Sequence, residues 1–134
     1  MSRLNFEIYQ LRKSRATTDR KGKSLKGLKM HGMQLEADLY EKVYRSAITL
    51  WDRRTAVDIL EELYDTYRSY FPDDYTGSEV GVSDVVILEG EDGIRTAYYC
   101  DPWSWQDVTD EWEASKAAPA AVAQEEQTFA DFLK

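Results

Sequence analysis

One cysteine, one histidine and three prolines in 134 residues leave few parts for most enzyme chemistry. A lone Cys100 cannot close an internal disulfide, and a small thiol inside an apolar strand pattern points to burial and a reducing compartment. The single histidine, His31, sits in a basic, glycine-bearing stretch with no cysteine near it, so neither a His/Cys zinc site nor a Ser-His-Asp or Cys-His triad finds its members. No serine or cysteine stands in a Gly-x-Ser-x-Gly elbow. A phosphate loop is missing as well, because GSEVG at Gly77 to Gly81 lacks the Gly-Lys-Ser/Thr ending. DDYTGSE lacks the alternating ligands of a calcium loop, and no Glu-x-Lys triplet follows Pro72-Asp73 as a metal nuclease requires. Long apolar runs are absent, and MSRLNFEIYQ lacks the order of a secretory signal. The expectation is one soluble, cytoplasmic domain without the parts of the common catalytic, metal or cofactor sites.

What is there is charge, unevenly placed. Residues 1 to 30 carry nine Lys and Arg against two acids, and the remainder carry eight against twenty-three, so a segment of about +7 is joined to one of about −15. Such a separation acts on partners through long-range fields. Between Val57 and Glu113 sixteen acids face only Arg68 and Arg95.

The pattern along the chain predicts an α+β fold: a small antiparallel or mixed sheet, one principal helix packed on it, and a β-hairpin at Val82–Cys100. LNFEIYQL alternates as a half-buried first strand. The basic stretch that follows, Arg12–Lys29 at its core, reads as a solvated, mobile loop with one helical turn around Leu25 to Met30; it offers the one weak, non-specific route to nucleic acid. Gln34 to Leu50 fits either helical or strand spacing, and a short turn followed by a strand over Val43 to Thr49 fits better. Thr55, with Asp58 three residues on, caps the main helix, which Pro72 closes. Its apolar stripe is Ile59, Leu60, Leu63, Tyr64, Tyr67, Tyr70 and Phe71.

Val85 to Leu88 is apolar on both faces, GEDG at Gly90 to Gly93 supplies a tight turn, and Ile94 to Cys100 returns. DPWSWQDVTDEW beyond it reads as irregular. Residues 1–113 form the domain; residues 114–134 are an Ala/Pro linker and a short amphipathic tail with Phe129, Phe132 and Leu133.

The outer face of the helix carries Asp58, Glu61, Glu62 and Asp65 three or four apart, with only Arg68 near, and Asp73 and Asp74 follow. These six are the candidate partner-binding row. Solvated surface explains an acidic face in many proteins; the sharper reading is a phosphate-like row that occupies a basic groove. Trp103 and Trp105 are candidate anchors, one completing the core and the other at the rim of an interface.

FPDDYTGSEVGVSDVVILEGEDGIRTAYYCDPWSW, with IYQL, DLYEKVYRSAI and ILEELYDTY upstream, resembles the signature of the YodL-like domain family. The matching elements are Pro72, Asp73, Asp74, Tyr75 and Gly77, then Val82 to Val86, then Thr96 to Tyr99, and the resemblance covers about residues 4 to 108. Trp103 and Trp105 depart from it, as does the terminal FADFLK. The resemblance implies a non-enzymatic module of Firmicutes conjugative elements and phages, often beside counter-defence or transfer domains, with one member linked to actin-like cell-shape proteins. It supplies no catalytic residues, and it implies structural roles for Ser83, Asp84 and Thr96. Combined with the acidic row, it predicts an inhibitor of a host defence protein with a basic groove, such as a CRISPR or restriction nuclease, acting by nucleic-acid mimicry. The alternative is a regulator of an actin-like cytoskeletal protein.

Overall fold

A computed structural model of the protein describes residues 2–50, 55–69 and 71–116. The linker and amphipathic tail expected at 117–134, and Tyr70 of the helical stripe, lie outside the described residues. The elements are β1 (Ser2–Leu11), α1 (Arg15–Thr18), α2 (Leu25–Met30), a 3-10 turn (Ala37–Leu39), β2 (Tyr40–Leu50), α3 (Ala56–Ser69), β3 (Val85–Glu89), β4 (Arg95–Cys100) and β5 (Trp105–Asp107). Residues 109–116 are also helical.

All the pairings of the five-stranded sheet are antiparallel, in the order β2-β1-β3-β4-β5. The expected α+β architecture is therefore present, with β1 between β2 and β3. Those two strands run in the same direction, and α3 makes the connection between them.

Alternation along the strands builds a core on each face of the sheet. Phe6, Ile8, Val86, Leu88 and Cys100 point one way and meet Ile59, Leu60, Leu63 and Tyr67 of α3. Val85, Ile87, Ala97 and Tyr99 point the other way, onto Leu28 of α2 and onto Val108 and Trp112. This is why Val85 to Leu88 is apolar throughout: a strand covered on both sides has no solvent-facing register. α3 starts on a reciprocal cap, with the Asp58 N–H donating to Thr55 Oγ1 (3.2 Å) and the Thr55 N–H to Asp58 Oδ2 (3.3 Å).

Three expectations are corrected. The basic stretch is not a free connection: Ser24 Oγ caps α2 by accepting from the Gly27 N–H (2.9 Å), the Leu25 N–H donates to Asp101 Oδ1 (2.9 Å) and Tyr99 Oη donates to the Lys23 carbonyl (2.5 Å). Leu28 then buries itself, so apolar side chains and these bonds hold a segment that its charge alone would leave solvated. The second strand is longer than Val43 to Thr49 and carries a β-bulge. Ile8 pairs with Tyr44 but Tyr9 pairs with Lys42, leaving Val43 as an extra residue. Val43 and Tyr44 both pack on the α3 side, which breaks the two-residue period and mimics helical spacing. Third, the stretch after Cys100 is ordered: β5 joins the sheet, and Asp107 Oδ1 accepts from the Thr109 N–H (3.0 Å) and hydroxyl (2.6 Å) at the start of the 109–116 helix.

Glu7 is the charged group set deepest in the second face. Arg95 Nη2 approaches its Oε1 to 2.5 Å, Lys42 Nζ its Oε2 to 3.1 Å, and Tyr9 Oη donates to Oε1 at 3.0 Å. Burial pushes its pKa up, but the bonds from Arg95 and Lys42, the Arg95 charge and the Tyr9 hydroxyl outweigh that and hold it at about 2.

A candidate acidic face and a polar cleft

α3 separates its two faces cleanly. Ile59, Leu60, Leu63 and Tyr67 are buried, whereas Asp58, Glu61, Glu62 and Asp65 are exposed. At 1.5 Å per residue the four carboxylates span about 10 Å along the axis. Asp58 is already engaged as the cap. Glu61 and Asp65 have no ion-pair partner among the described residues, and Arg68, one turn on, is turned onto Tyr64, donating to its hydroxyl with its guanidinium 5.2 Å from the ring centroid. Beyond the helix, Asp73 and Asp74 are exposed, and Tyr44 Oη donates to Asp74 Oδ1 at 3.1 Å.

The tryptophans part company. Trp105 is 9% exposed, packs in the α3-side core and meets the Tyr64 ring edge-on at 6.4 Å. Trp103, in the β4–β5 turn, is 95% exposed. Core burial therefore removes Trp105 as an anchor and leaves Trp103.

The sixteen acids of the 57–113 region do not gather into one patch. Asp84 is buried and Glu89 pairs with Arg95 at 3.0 Å. Glu91 and Asp92 sit at the β3–β4 turn, and Asp110, Glu111 and Glu113 are exposed on the 109–116 helix, which packs through Trp112 on the face opposite α3. What remains as a row is the outer face of α3; Asp73 and Asp74 stand exposed beyond its end.

A second feature was not visible as a site in the sequence. The Gln10 side chain, at the end of β1, bonds Ser78 through both its atoms, Nε2 donating to the carbonyl (2.9 Å) and Oε1 accepting from the N–H (2.9 Å). Nε2 also lies 3.0 Å from Asp84 Oδ2. Asp84 closes its own turn twice, through its N–H to the Gly81 carbonyl (3.1 Å) and through Oδ2, which accepts from the Gly81 N–H (2.9 Å). Within that turn Ser83 holds φ at 86°, a left-handed conformation that costs a non-glycine residue about 1 kcal/mol or more. It is held there from three sides: its carbonyl accepts from Tyr40 Oη (2.6 Å), its N–H donates to Cys100 O (3.0 Å), and its Oγ accepts from the Gly22 N–H (3.3 Å). Gly77 fits because a Cβ there would lie 2.7 Å from Tyr75 Oη and from Val43 Cγ2 and 2.8 Å from Gln10 Oε1.

These residues wall a cleft of about 240 Å³, bounded also by Lys13 and Lys21. Burial pushes Asp84 up to about 7, against the opposing pull of Gly81, Gln10 and the Lys21 charge. Cys100, nearby, is driven up to about 12, first by burial and then by the Asp84, Asp101 and Glu61 charges, a setting that disfavours the thiolate. The structural roles implied for Ser83 and Asp84 are visible in this turn. Thr96 pairs with Leu88 in the hairpin.

Among the described residues no group of three or more His, Cys, Asp or Glu side chains is placed to hold a metal ion, and no helix is long and apolar enough to cross a membrane. No curated protein and no solved structure matches the chain. The family model of the YodL-like domain matches residues 5–110, a span running from β1 into the 109–116 helix and containing both the acidic helix and the polar cleft, and the chain accordingly belongs to the YodL-like domain family.

Proposed function

We propose that the protein is a non-enzymatic binding module that presents the outer face of α3 to a basic groove on a nucleic-acid-acting host protein, a CRISPR or restriction nuclease being the concrete case, and inhibits it by occupying the place of a phosphate backbone. The observation that carries this reading is the carboxylate row of α3, rigid because its other face is core, with Arg68 diverted onto Tyr64. One strand of nucleic acid carries a charge every 3.4 Å of axis, so a row of about 10 Å covers roughly three charges. That is a short stretch, and in this reading the exposed Asp73 and Asp74 add to it. Binding of this kind releases counterions and weakens steeply with salt.

The test uses the full chain immobilised in a bacterial lysate, beside a Glu61→Lys, Glu62→Lys, Asp65→Lys variant. Capture of a nucleic-acid-acting protein that is lost in the variant, at about 0.5 M salt and on addition of duplex DNA supports the proposal. Capture that survives all three removes it.

Trp103 favours a second reading. An indole 95% exposed is a large apolar anchor, which suits a regulator of an actin-like filament protein. Capture that withstands salt and is lost in Trp103→Ala selects that alternative.

A further inference from the structure

The strongest unassigned feature outside the acidic helix is the cleft where the end of β1, the turn after α1 and the 76–84 loop meet. Its far wall is pinned by the two Gln10 bonds to Ser78, and its floor is Asp84. Asp84 is 6% exposed, and both of its side-chain bonds fall on Oδ2. Oδ1 has no hydrogen-bond partner among the described residues, nor is it sealed away: the buried side-chain atom without a partner is Trp112 Nε1. Oδ1 thus keeps its access to solvent through the cleft that Asp84 lines. On a carboxylate that is otherwise buried, this solvent-reaching oxygen is the acceptor left for a donor supplied from outside, which would take the place of water.

At the rim stand Lys13 and Lys21, both exposed and without ion-pair partners among the described residues. Glu41 and Glu79 also line the cleft, and Glu41 already faces Arg12 at 3.8 Å. The lining carries both signs, Asp84, Glu41 and Glu79 against Lys13 and Lys21, so an ion of either sign meets like charge as well as opposite charge. A molecule carrying both signs a few bonds apart satisfies floor and rim together. Size narrows the class further: at about 240 Å³ the cleft lies below the roughly 300–1,000 Å³ of pockets that take drug-sized ligands, which favours a small molecule.

We propose that this cleft binds a small zwitterion of the α-amino-acid type, its ammonium donating to Asp84 Oδ1 and its carboxylate facing Lys13 and Lys21. The groups facing Asp84 are Gln10 from β1, Lys21 from the turn after α1, Tyr40 from β2, Tyr75 from the loop after α3, and Tyr99 and Cys100 from β4. Glu41 and Glu79 line the cleft as well; burial raises the tyrosines and the thiol, which stay neutral between pH 5 and 8, and raises Asp84 to about 7, so Asp84 titrates within that range. Protonated Asp84 no longer attracts an ammonium, and affinity falls with acidification through pH 7.

The experiment titrates the common free L-amino acids into the full-length, nitrogen-15-labelled protein at about pH 8 and about pH 5.5 and follows backbone amide shifts. Expected is a saturable shift, for at least one of them, at Gln10, at Lys21 and Gly22 and through residues 76–84, with affinity about tenfold or more weaker at the lower pH. Asp84→Asn, whose spectrum also reports whether the fold is kept, abolishes the shift. Lys13→Ala combined with Lys21→Ala, both on the surface, weakens binding about tenfold while sparing the fold. No saturable shift with any amino acid up to roughly 10 mM overturns the proposal; so does equal binding by the two-lysine variant, or equal binding of ethylamine or acetate alone.

Discussion

Asp84→Asn is expected to stabilise the protein at pH 8 and to leave it nearly unchanged at pH 4. The side chain is 6% exposed, and burial raises its pKa from 3.8 to about 7. Its folded state therefore holds a proton that its unfolded state releases. The stability linked to that proton is fully present below 3.8 and is lost as pH rises through 7. At 1.36 kcal/mol per pH unit, the difference amounts to about 4 kcal/mol. Asparagine keeps an oxygen to accept from Gly81 and Gln10 and has no charge to bury, so the variant escapes the loss. Glu7 works in the opposite sense: lowered from 4.5 to about 2, it contributes about 3 kcal/mol that is present above 4.5 and lost as pH falls through 2. Between them the two carboxylates place the stability maximum near pH 4 to 5, on the acid side of the usual optimum. Urea unfolding, followed by the fluorescence of the buried Trp105 and Trp112 across this range, measures both slopes. A difference between variant and parent that stays flat from pH 4 to pH 8 refutes the assignment of a buried, titrating carboxylate at Asp84.

Three further outcomes follow from the geometry. Glu7→Gln leaves Arg95 and Lys42 facing a neutral amide and is expected to cost about 3 kcal/mol at pH 7 and little at pH 2, read by the same unfolding curves. Gly77→Ala drives a methyl within 2.8 Å of Gln10 Oε1 and 2.7 Å of Val43 Cγ2, so it is expected to cost about 1–3 kcal/mol and to loosen the 76–84 loop, seen as faster amide exchange at Ser78. Trp103→Ala is expected to move the melting stability by no more than about 0.5 kcal/mol, whereas Trp105→Ala costs about 3–5 kcal/mol, a contrast that thermal unfolding reads directly.

The parts of the fold legible in the sequence are those whose causes are local. Thr55 and Asp58 announce the start of α3, its stripe at spacings of three and four gives the buried face, and the Gly90 to Gly93 turn, with Gly93 at φ 80°, gives the hairpin. The bulge at Val43 hid the length of β2, since two neighbouring residues on one face defeat a period of two. β5 was hidden because three residues after a proline carry too little pattern, and its partner strand supplies the order. The polar cleft was illegible for a different reason. Gln10, Lys21 and Asp84 meet only through the sheet and the anchored basic segment, and nothing in the spacing of IYQL or VSD says that one amide will hold both. The acidic row of α3 was legible as a helical face. That Arg68 turns to Tyr64, and that the remaining acids spread to the opposite side, depends on packing.

The place of β1 in the sheet bears on how the chain is made. β1, made before either of its neighbours, pairs on one side with β2 and on the other with β3, from Asn5↔Glu89 to Tyr9↔Val85. One edge of the nascent strand thus waits, its backbone N–H and C=O groups on that side without a partner strand, until synthesis has passed Glu89. A product begun at Met30 or Met33 lacks the strand that joins β2 to the β3–β4–β5 meander, so internal initiation leaves β2 a lone strand beside a three-stranded sheet it cannot reach.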